Sequence, residues 1–369
     1  MSQQTSYSRA HALGHFAGGV ALVIAFLAVV ALVVRLPWGL AQPALDLIAA
    51  YPVVDALVRA AFICFVLIAV GVLFLIWWER KFAGWMQARL GPMHVGWRGS
   101  LQTVADALKL LTKEDIIPAK ADRILFVAAP FIAFVPTVLT FLALPFSQKA
   151  VAWDYSLSVL FVMAVTTTAI AGMMAAGWGA NNKYALLGGM RSAAQLLSYE
   201  IPMLVSVLAV VACTNTLSMT QTVLAQEGLW NVLRRPVLIP AFVIYLICAM
   251  AEVNRTPFDL PEAESELVSG FNTEYSGMRF AFFFLAEFAN NFFQAAFAVV
   301  LFFGGWLGPS ILPGPVWLSI KALALVTFMM WIRWTVPRFR IDQMMAFCWK
   351  LLVPASFLVF FAAALLGGD

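Results

Sequence analysis

The sequence predicts an all-α, polytopic transmembrane helical bundle of about nine spans, accompanied by an amphipathic interfacial helix. Three observations support this. Of 369 residues, 63% are hydrophobic and only 11% charged, with a mean hydropathy of +0.89, whereas a soluble domain carries roughly 25% charged residues. Apolar runs long enough to cross about 30 Å of hydrocarbon recur along the chain. The runs are continuous and not alternating, which favours helices over barrel strands, the two structures that satisfy their own backbone in lipid. A disordered chain, a secreted disulfide scaffold and an ordinary cytosolic enzyme are excluded on the same grounds.

In chain order the candidate spans cover about 18–36, 57–78, 124–145, 157–178, 193–213, 237–252, 280–304, 316–334 and 345–366. The first has a rival. Val20 to Val34 is apolar and Gly39-Leu40-Ala41 loosely matches a small-x-small cleavage site, but the single Arg9 makes a poor leader charge region, so a retained helix is expected. Between Gly99 and Glu114 the pattern changes. Leu101, Val104, Ala105, Leu108, Leu111 and Thr112 share one helical arc, and Gln102, Asp106, Lys109 and Lys113 another, with Ser100 as the expected N-cap. That segment is too polar to span and is expected to lie along the cytoplasmic interface, either as a passive surface helix or a functional one. With 79–123 placed in the cytoplasm, 17 of the 23 Lys and Arg fall on that side and 6 on the other. The positive-inside rule then sets the N-terminus in and the C-terminus out.

Cofactor ligands are hard to find. Cys64, Cys213, Cys248 and Cys348 are scattered, with no C-x-x-C, and His11, His15 and His94 avoid the long apolar runs. Neither an iron–sulfur cluster, a zinc site nor a buried haem is expected from this chain alone, and no glycine-rich nucleotide loop is present. Acids inside spans are costly and are functional candidates. Glu200 lies about two turns into its span, Glu252 ends another, and Glu287 shares one helical face with Asn290, Asn291 and Gln294. An inter-helix hydrogen-bond seam explains the amides equally well; for Glu287 a titrating role is favoured. Asp259, Glu262, Glu264, Glu266 and Glu274 follow Glu252 in one loop offset only by Arg255 and Arg279. If the residues after Pro261 are helical, Glu262 and Glu266 share a face. Close, partly buried carboxyls cannot all ionise and titrate as a set, which suits a proton relay better than a solvated acidic loop.

Several motifs are long enough to identify a family. Glu79-Arg80-Lys81 with Gln87-Ala88-Arg89-Leu90-Gly91-Pro92 is one. Asn181-Asn182-Lys183-Tyr184-Ala185-Leu186-Leu187-Gly188-Gly189-Met190-Arg191, running on to Ser198-Tyr199-Glu200, is a second. The third runs from Ala251-Glu252-Val253-Asn254-Arg255-Thr256-Pro257-Phe258-Asp259-Leu260-Pro261 through Glu266 and Phe271 to Glu274-Tyr275-Ser276-Gly277. Trp331-Ile332-Arg333 and Pro337-Arg338-Phe339-Arg340-Ile341-Asp342-Gln343 close the set. Over about residues 57–366 the chain resembles the H-subunit family of proton-pumping NADH–quinone oxidoreductase, respiratory complex I, whose mitochondrial counterpart is NADH dehydrogenase subunit one. Family members usually have eight spans, so residues 1–56 form an additional N-terminal helix and extracytoplasmic loop ahead of the quinone-chamber and proton-coupling unit, 57–369.

The resemblance implies a subunit in the bacterial inner membrane, at the junction of the membrane and hydrophilic arms, walling the membrane side of the quinone chamber. Quinone, such as ubiquinone, is a substrate shared with partner subunits, which hold the flavin and iron–sulfur clusters; none is bound by this chain alone. Carried over by motif, the quinone passage involves Arg80, Arg89, Asp106, Phe271 and Arg333. The acid route towards the pumping subunits involves Glu200, Glu252, Asp259, Glu262, Glu264, Glu266, Glu274 and Glu287. The partners implied are the other membrane-arm and hydrophilic-arm subunits, quinone and lipid, with no nucleic acid. Two alternatives are weighed. A membrane subunit of an energy-converting hydrogenase would use no quinone, and the Arg255-Thr256-Pro257-Phe258-Asp259 run argues against it. A secondary transporter would show paired interrupted helices in two matching halves, a pattern the sequence lacks.

Overall fold

The computed structural model describes residues 68–148, 151–309 and 311–366, and every regular element among them is helical. The predicted helix at about 18–36, Cys64 and the first half of the span at about 57–78 lie outside the described residues. Six helices are long and apolar enough to cross a membrane: α3 (Arg123–Ala143), α4 (Ser158–Gly179), α5 (Lys183–Thr214), α10 (Gly277–Phe302), α11 (Gly314–Thr335) and α12 (Ile341–Leu366). Around them are α1 (Gly71–Met86), α2 (Gln102–Thr112), the apolar but 15-residue α8 (Leu238–Glu252), and the short α6 (Met219–Leu224), α7 (Asn231–Arg234) and α9 (Glu264–Leu267).

Several boundaries move from their expected places. The span expected from about 193 begins at Lys183, because Asn182 caps that end by accepting from the Tyr184 N–H at 2.9 Å. The span expected to stop near 78 continues to Met86 and carries Glu79, Arg80 and Lys81 as helical residues. Ser100 is not the cap of α2; Leu101 holds that position without a side-chain hydrogen bond, and Ser100 closes a short 3₁₀ turn instead. The apolar arc of α2 is exposed, with Leu101 at 54% and Leu108 and Leu111 at 57% each.

Prolines sit inside several of the long helices, and two of them show how lipid-compatible helices tolerate them. Proline lacks an N–H, so the carbonyl four residues earlier loses its partner and needs another. Below Pro130 of α3 the Phe126 carbonyl accepts from the Tyr275 hydroxyl at 3.3 Å. Below Pro202 of α5 the Ser198 carbonyl accepts from the Cys348 thiol at 3.1 Å. Each replacement donor comes from a different part of the chain, so the repair also ties elements together. Asp122 caps α3, accepting from Ile124 and Leu125 N–H groups at 3.0 and 3.3 Å.

Helix α10 is the axis of the bundle. It packs on α1, α2, α3, α8 and α11, and 72% of its most apolar stretch is buried, against 17% for α12 at the periphery. Phe293, Ala295, Ala296 and Ala298 are fully enclosed on it. The loop between α8 and α10 folds over one end of α5, and Gly188 makes room for it: a Cβ there would stand 2.7 Å from the Phe271 nitrogen. A small residue is thereby required where backbone meets helix. The loop delivers its acids to the site through this close approach.

Candidate functional site

Glu79 is the most enclosed acid among the described residues, 7% exposed, on the inward side of α1. Arg255, 5% exposed, donates from Nη1 to both Glu79 oxygens at 2.8 and 2.9 Å. Arg333, at the end of α11, donates to the same carboxylate. On its other edge, Arg255 Nε lies 3.0 Å from Glu287 Oε1, and its guanidinium carbon stands 4.3 Å over the Phe288 ring. Two arginines and two glutamates therefore form one ion-pair network, enclosed at Arg255 and Glu79 and partly open at Arg333. Burial works against the Arg255 charge, and the Glu287 and Glu79 carboxylates outweigh it, raising its pKa above the ordinary guanidinium value. Breaking such a buried pair from one side strands the other charge.

Beside the network lie two adjoining cavities. One of about 30 Å³ is lined by Thr166, Thr167, Tyr199, Glu200, Glu252 and Asn290, among others. The next, about 50 Å³, is lined by Glu252, Glu262, Phe271, Glu287, Asn290 and Thr137 with neighbouring apolar groups. Glu252, Asn290, Ala169 and Met173 belong to both walls. Each volume exceeds the roughly 10–15 Å³ that one water needs. Thr167 donates to Glu200 and to the Met163 carbonyl. The Asn290 and Gln294 carboxamides face Glu252, and Gln294 in turn accepts from the Tyr245 hydroxyl at 2.6 Å. Glu252 Oε2 is buried and has no protein partner among the described residues. In the loop, Asn272 donates to Glu262 at 2.8 Å. Burial, with Glu287 and Asp259 nearby, pushes the Glu262 carboxyl well above the ordinary carboxylate range despite Arg255 and Asn272.

The acids expected to act together thus divide into groups. Glu200, Glu252, Glu262 and Glu287 line the two cavities. The rest are paired elsewhere: Asp259 with Arg338 at 3.1 Å, Glu266 with Arg191 at 2.5 Å, and Glu274 with the Asn182 amide at 2.6 Å. The conditional expectation that Glu262 and Glu266 share a helical face is overturned. Helix α9 starts only at Glu264, so Glu262 precedes it and turns to Asn272, while Glu266, 46% exposed, reaches Arg191 on the surface. The Glu264 side chain lies outside what the structure describes.

The arginines expected at the quinone passage also separate. Arg80 and Asp106 pair at 2.5 Å between α1 and α2, and both are partly exposed. Arg89 is exposed and bonds Gln87 at 2.6 Å. Phe271, 3% exposed, packs edge-on against Phe283 at 5.4 Å and belongs to the second cavity, apart from the Arg80–Asp106 pair. Arg333 is engaged by Glu79.

Glu79 and Arg255 are not among the site residues that the sequence predicts. Glu79 had a signal, an acid directly continuing an apolar run. The pairing itself had none, since the partners are separated by 176 residues. Cys213, Cys248 and Cys348 are free and buried, and among the described residues no cluster of His, Cys, Asp or Glu is arranged to hold a metal ion.

Fold and site together define a polytopic helical membrane protein with an ion-pair network and a file of carboxyls enclosed between its helices. Residues 59–364 match a family model described as NADH dehydrogenase. The chain is 52% identical over 282 residues to the H subunit of NADH-quinone oxidoreductase from Geobacillus kaustophilus, covering 75% of this chain and 84% of that protein. It is 44% identical over 339 residues to the protein of the same name from Anaeromyxobacter dehalogenans, covering 84% and 82%. With the corresponding H subunit from Bacillus cytotoxicus it shares 49% over 292 residues, 78% and 87%. The chain belongs to this family, the H subunits of NADH–quinone oxidoreductase.

Proposed function

We propose that this chain forms the membrane side of the quinone chamber in a proton-translocating NADH–quinone oxidoreductase and couples quinone reduction to proton movement. The observation that carries the proposal is the continuity between the Arg333–Glu79–Arg255–Glu287 network and the two cavities joining Glu287 and Glu262 to Glu252 and Glu200. Arg333 holds Glu79 and is also only partly buried, so a quinone carbonyl arriving at that guanidinium competes with the carboxylate for its N–H groups. Loosening one arginine from Glu79 alters the field on Arg255, and thereby on Glu287, over a few ångströms of poorly screened interior. Arg80, Asp106 and Arg89 provide a polar approach beside the exposed apolar arc of α2, which suits an interfacial helix flanking a lipid-soluble substrate's entrance. Phe271 supplies an apolar wall.

Glu200, Glu252, Glu262 and Glu287 form the inner acid route, with Asp259, Glu264, Glu266 and Glu274 at its loop end. Flavin and iron–sulfur clusters are the partners' contribution; this chain positions, steers and relays. The location proposed is the bacterial inner membrane, and the distribution of Lys and Arg supports a cytoplasmic N-terminus and an extracytoplasmic C-terminus.

The test is a set of variants in the assembled complex, reconstituted in vesicles. Glu252→Gln, Glu200→Gln and Glu287→Gln are expected to lower NADH-driven quinone reduction and proton translocation together, with NADH oxidation by an artificial acceptor unchanged. Wild-type turnover and proton yield in all three would refute the relay.

A further inference from the structure

Asn290 lies between two halves of the acid route that only Glu252 otherwise joins. It belongs to the wall of both cavities, one turn beyond Glu287 and one turn before Gln294 on α10. Its carboxamide faces Glu252, whose Oε2 is buried with no protein partner among the described residues. On one side of this neck are Glu200 and Thr167; on the other are Glu262 and Glu287. The remaining shared wall, Ala169 and Met173, is apolar and cannot pass a proton. A buried carboxyl oxygen without a partner, beside a space large enough for water, calls for a water there.

We propose that the Asn290 carboxamide is a positioning residue that gates passage between the two cavities, holding the Glu252 carboxyl across their shared wall. The proposal rests on the relay reading above and assigns one of its control points. A carboxamide suits the task because it donates through its nitrogen and accepts through its oxygen, so it matches Glu252 with or without its proton and takes no charge itself. When water in either cavity exchanges a proton with Glu252, the carboxamide keeps the carboxyl in reach of the next water. The proton leaves one carboxyl as the next receives it, so no charge is left on the gate. Gln294, one turn further along α10, accepts from the Tyr245 hydroxyl at 2.6 Å, whereas Asn290 has no such anchor among the described residues and is the amide at the neck that can shift.

The experiment uses the intact complex in proteoliposomes and an isosteric pair at this position. Asn290→Thr retains a group that donates and accepts, whereas Asn290→Val has the same shape without it. NADH–quinone turnover is expected to fall about tenfold in the Val variant, the worth of one lost buried hydrogen bond in the transfer path, and to stay close to wild type in the Thr variant. Equal turnover in the two, high or low, overturns the proposal. Asn290→Ala covers the case of a Val chain that does not assemble: the solvent deuterium isotope effect on its turnover is expected to rise above wild type, and an unchanged effect overturns the gate. Failure of the relay itself is distinguishable, because there Glu252→Gln turns over normally; an impaired Glu252→Gln with matched Val and Thr variants refutes the gate alone.

Discussion

Replacing Arg255 with Met removes the cation shared by Glu79 and Glu287. The two acids are not left equal. Glu79 keeps Arg333, whereas the ion-pair partner of Glu287 among the described residues is Arg255 alone, at 3.0 Å. The guanidinium is 6% exposed and stacked on Phe288, so water cannot take its place without opening the packing between α10 and the loop. Removing one partner of a buried pair costs about 3–5 kcal/mol, mostly the penalty of the stranded charge. Since Glu79 retains a counter-charge, the cost belongs mainly to Glu287, and Arg255→Met/Glu287→Gln is expected to recover part of it. The assay is the thermal midpoint for release of this chain from the detergent-extracted complex, read for both single variants and the double variant as a cycle. A midpoint for Arg255→Met within error of wild type would refute the argument that this network holds the fold together. A double variant no better than Arg255→Met would show that Glu287 is not the stranded partner.

Three further outcomes are expected. Arg80→Ala should cost less than about 1 kcal/mol of stability, because the Arg80–Asp106 pair is 43% and 30% exposed, yet it should slow quinone-linked turnover while sparing NADH oxidation by an artificial acceptor; the ratio of the two activities checks this. Glu262 has its carboxyl pushed well above its ordinary value of 4.5, so its native site prefers the protonated form: the stability it contributes is full at acid pH and is lost as pH rises from that value through the raised one. Glu262→Gln removes that dependence, so its thermal midpoint should gain on wild type with rising pH. Gly188→Ala places a methyl 2.7 Å from the Phe271 nitrogen and 2.8 Å from Gly270 Cα, both backbone, and is expected to cost about 1–3 kcal/mol and release the acid loop, read as increased proteolysis between α8 and α10.

How much of this was legible in the sequence depends on whether the signal was local. The spans expected at about 124–145, 157–178, 280–304 and 316–334 match α3, α4, α10 and α11 within a few residues, because hydropathy is a property of each run. The polar stripe on α10 was legible too, and the structure assigns its members: Glu287 to Arg255, Asn290 and Gln294 to Glu252, and Asn291 to a buried position with its oxygen unpaired among the described residues. The early start of α5 was not legible, since Lys183 and Arg191 interrupt the apolar pattern ahead of 193, while Gln195 is a polar residue inside the span. Arg191 is satisfied by a distant partner, Glu266, and Gln195 by another, the Ala251 carbonyl at 2.7 Å, and such partners leave no mark on local composition. The division of the acids was illegible for the same reason. Glu262 and Glu266 look equivalent in sequence, and only the turn before α9 sends one inward and the other to the surface.

The partners of the acids divide the site into two kinds of chemistry. Glu79 and Glu287 face arginines, which are donors only and keep their charge, so these carboxyls have partners suited to one state. Glu200 faces the Thr167 hydroxyl, and Glu252 the carboxamides of Asn290 and Gln294, groups that can donate or accept and so serve a carboxyl in either state. A network of the first kind responds to a nearby charge by shifting its ion pairs, while a file of the second kind can pass a proton without leaving a polar atom unpaired. Glu287 also lines the cavity that holds Glu252 and Asn290, and Glu262 stands beside it there. Glu262 feels Arg255 and Glu287 on one side and shares a cavity with Glu252 and Asn290 on the other. On the relay proposed above, a change in the charge around Glu79 reaches the acids of the file through Arg255 and then through Glu287 and Glu262. Glu262→Gln should therefore weaken the response of the file to the arginine network without abolishing it, since Glu287 still joins the two through the shared cavity.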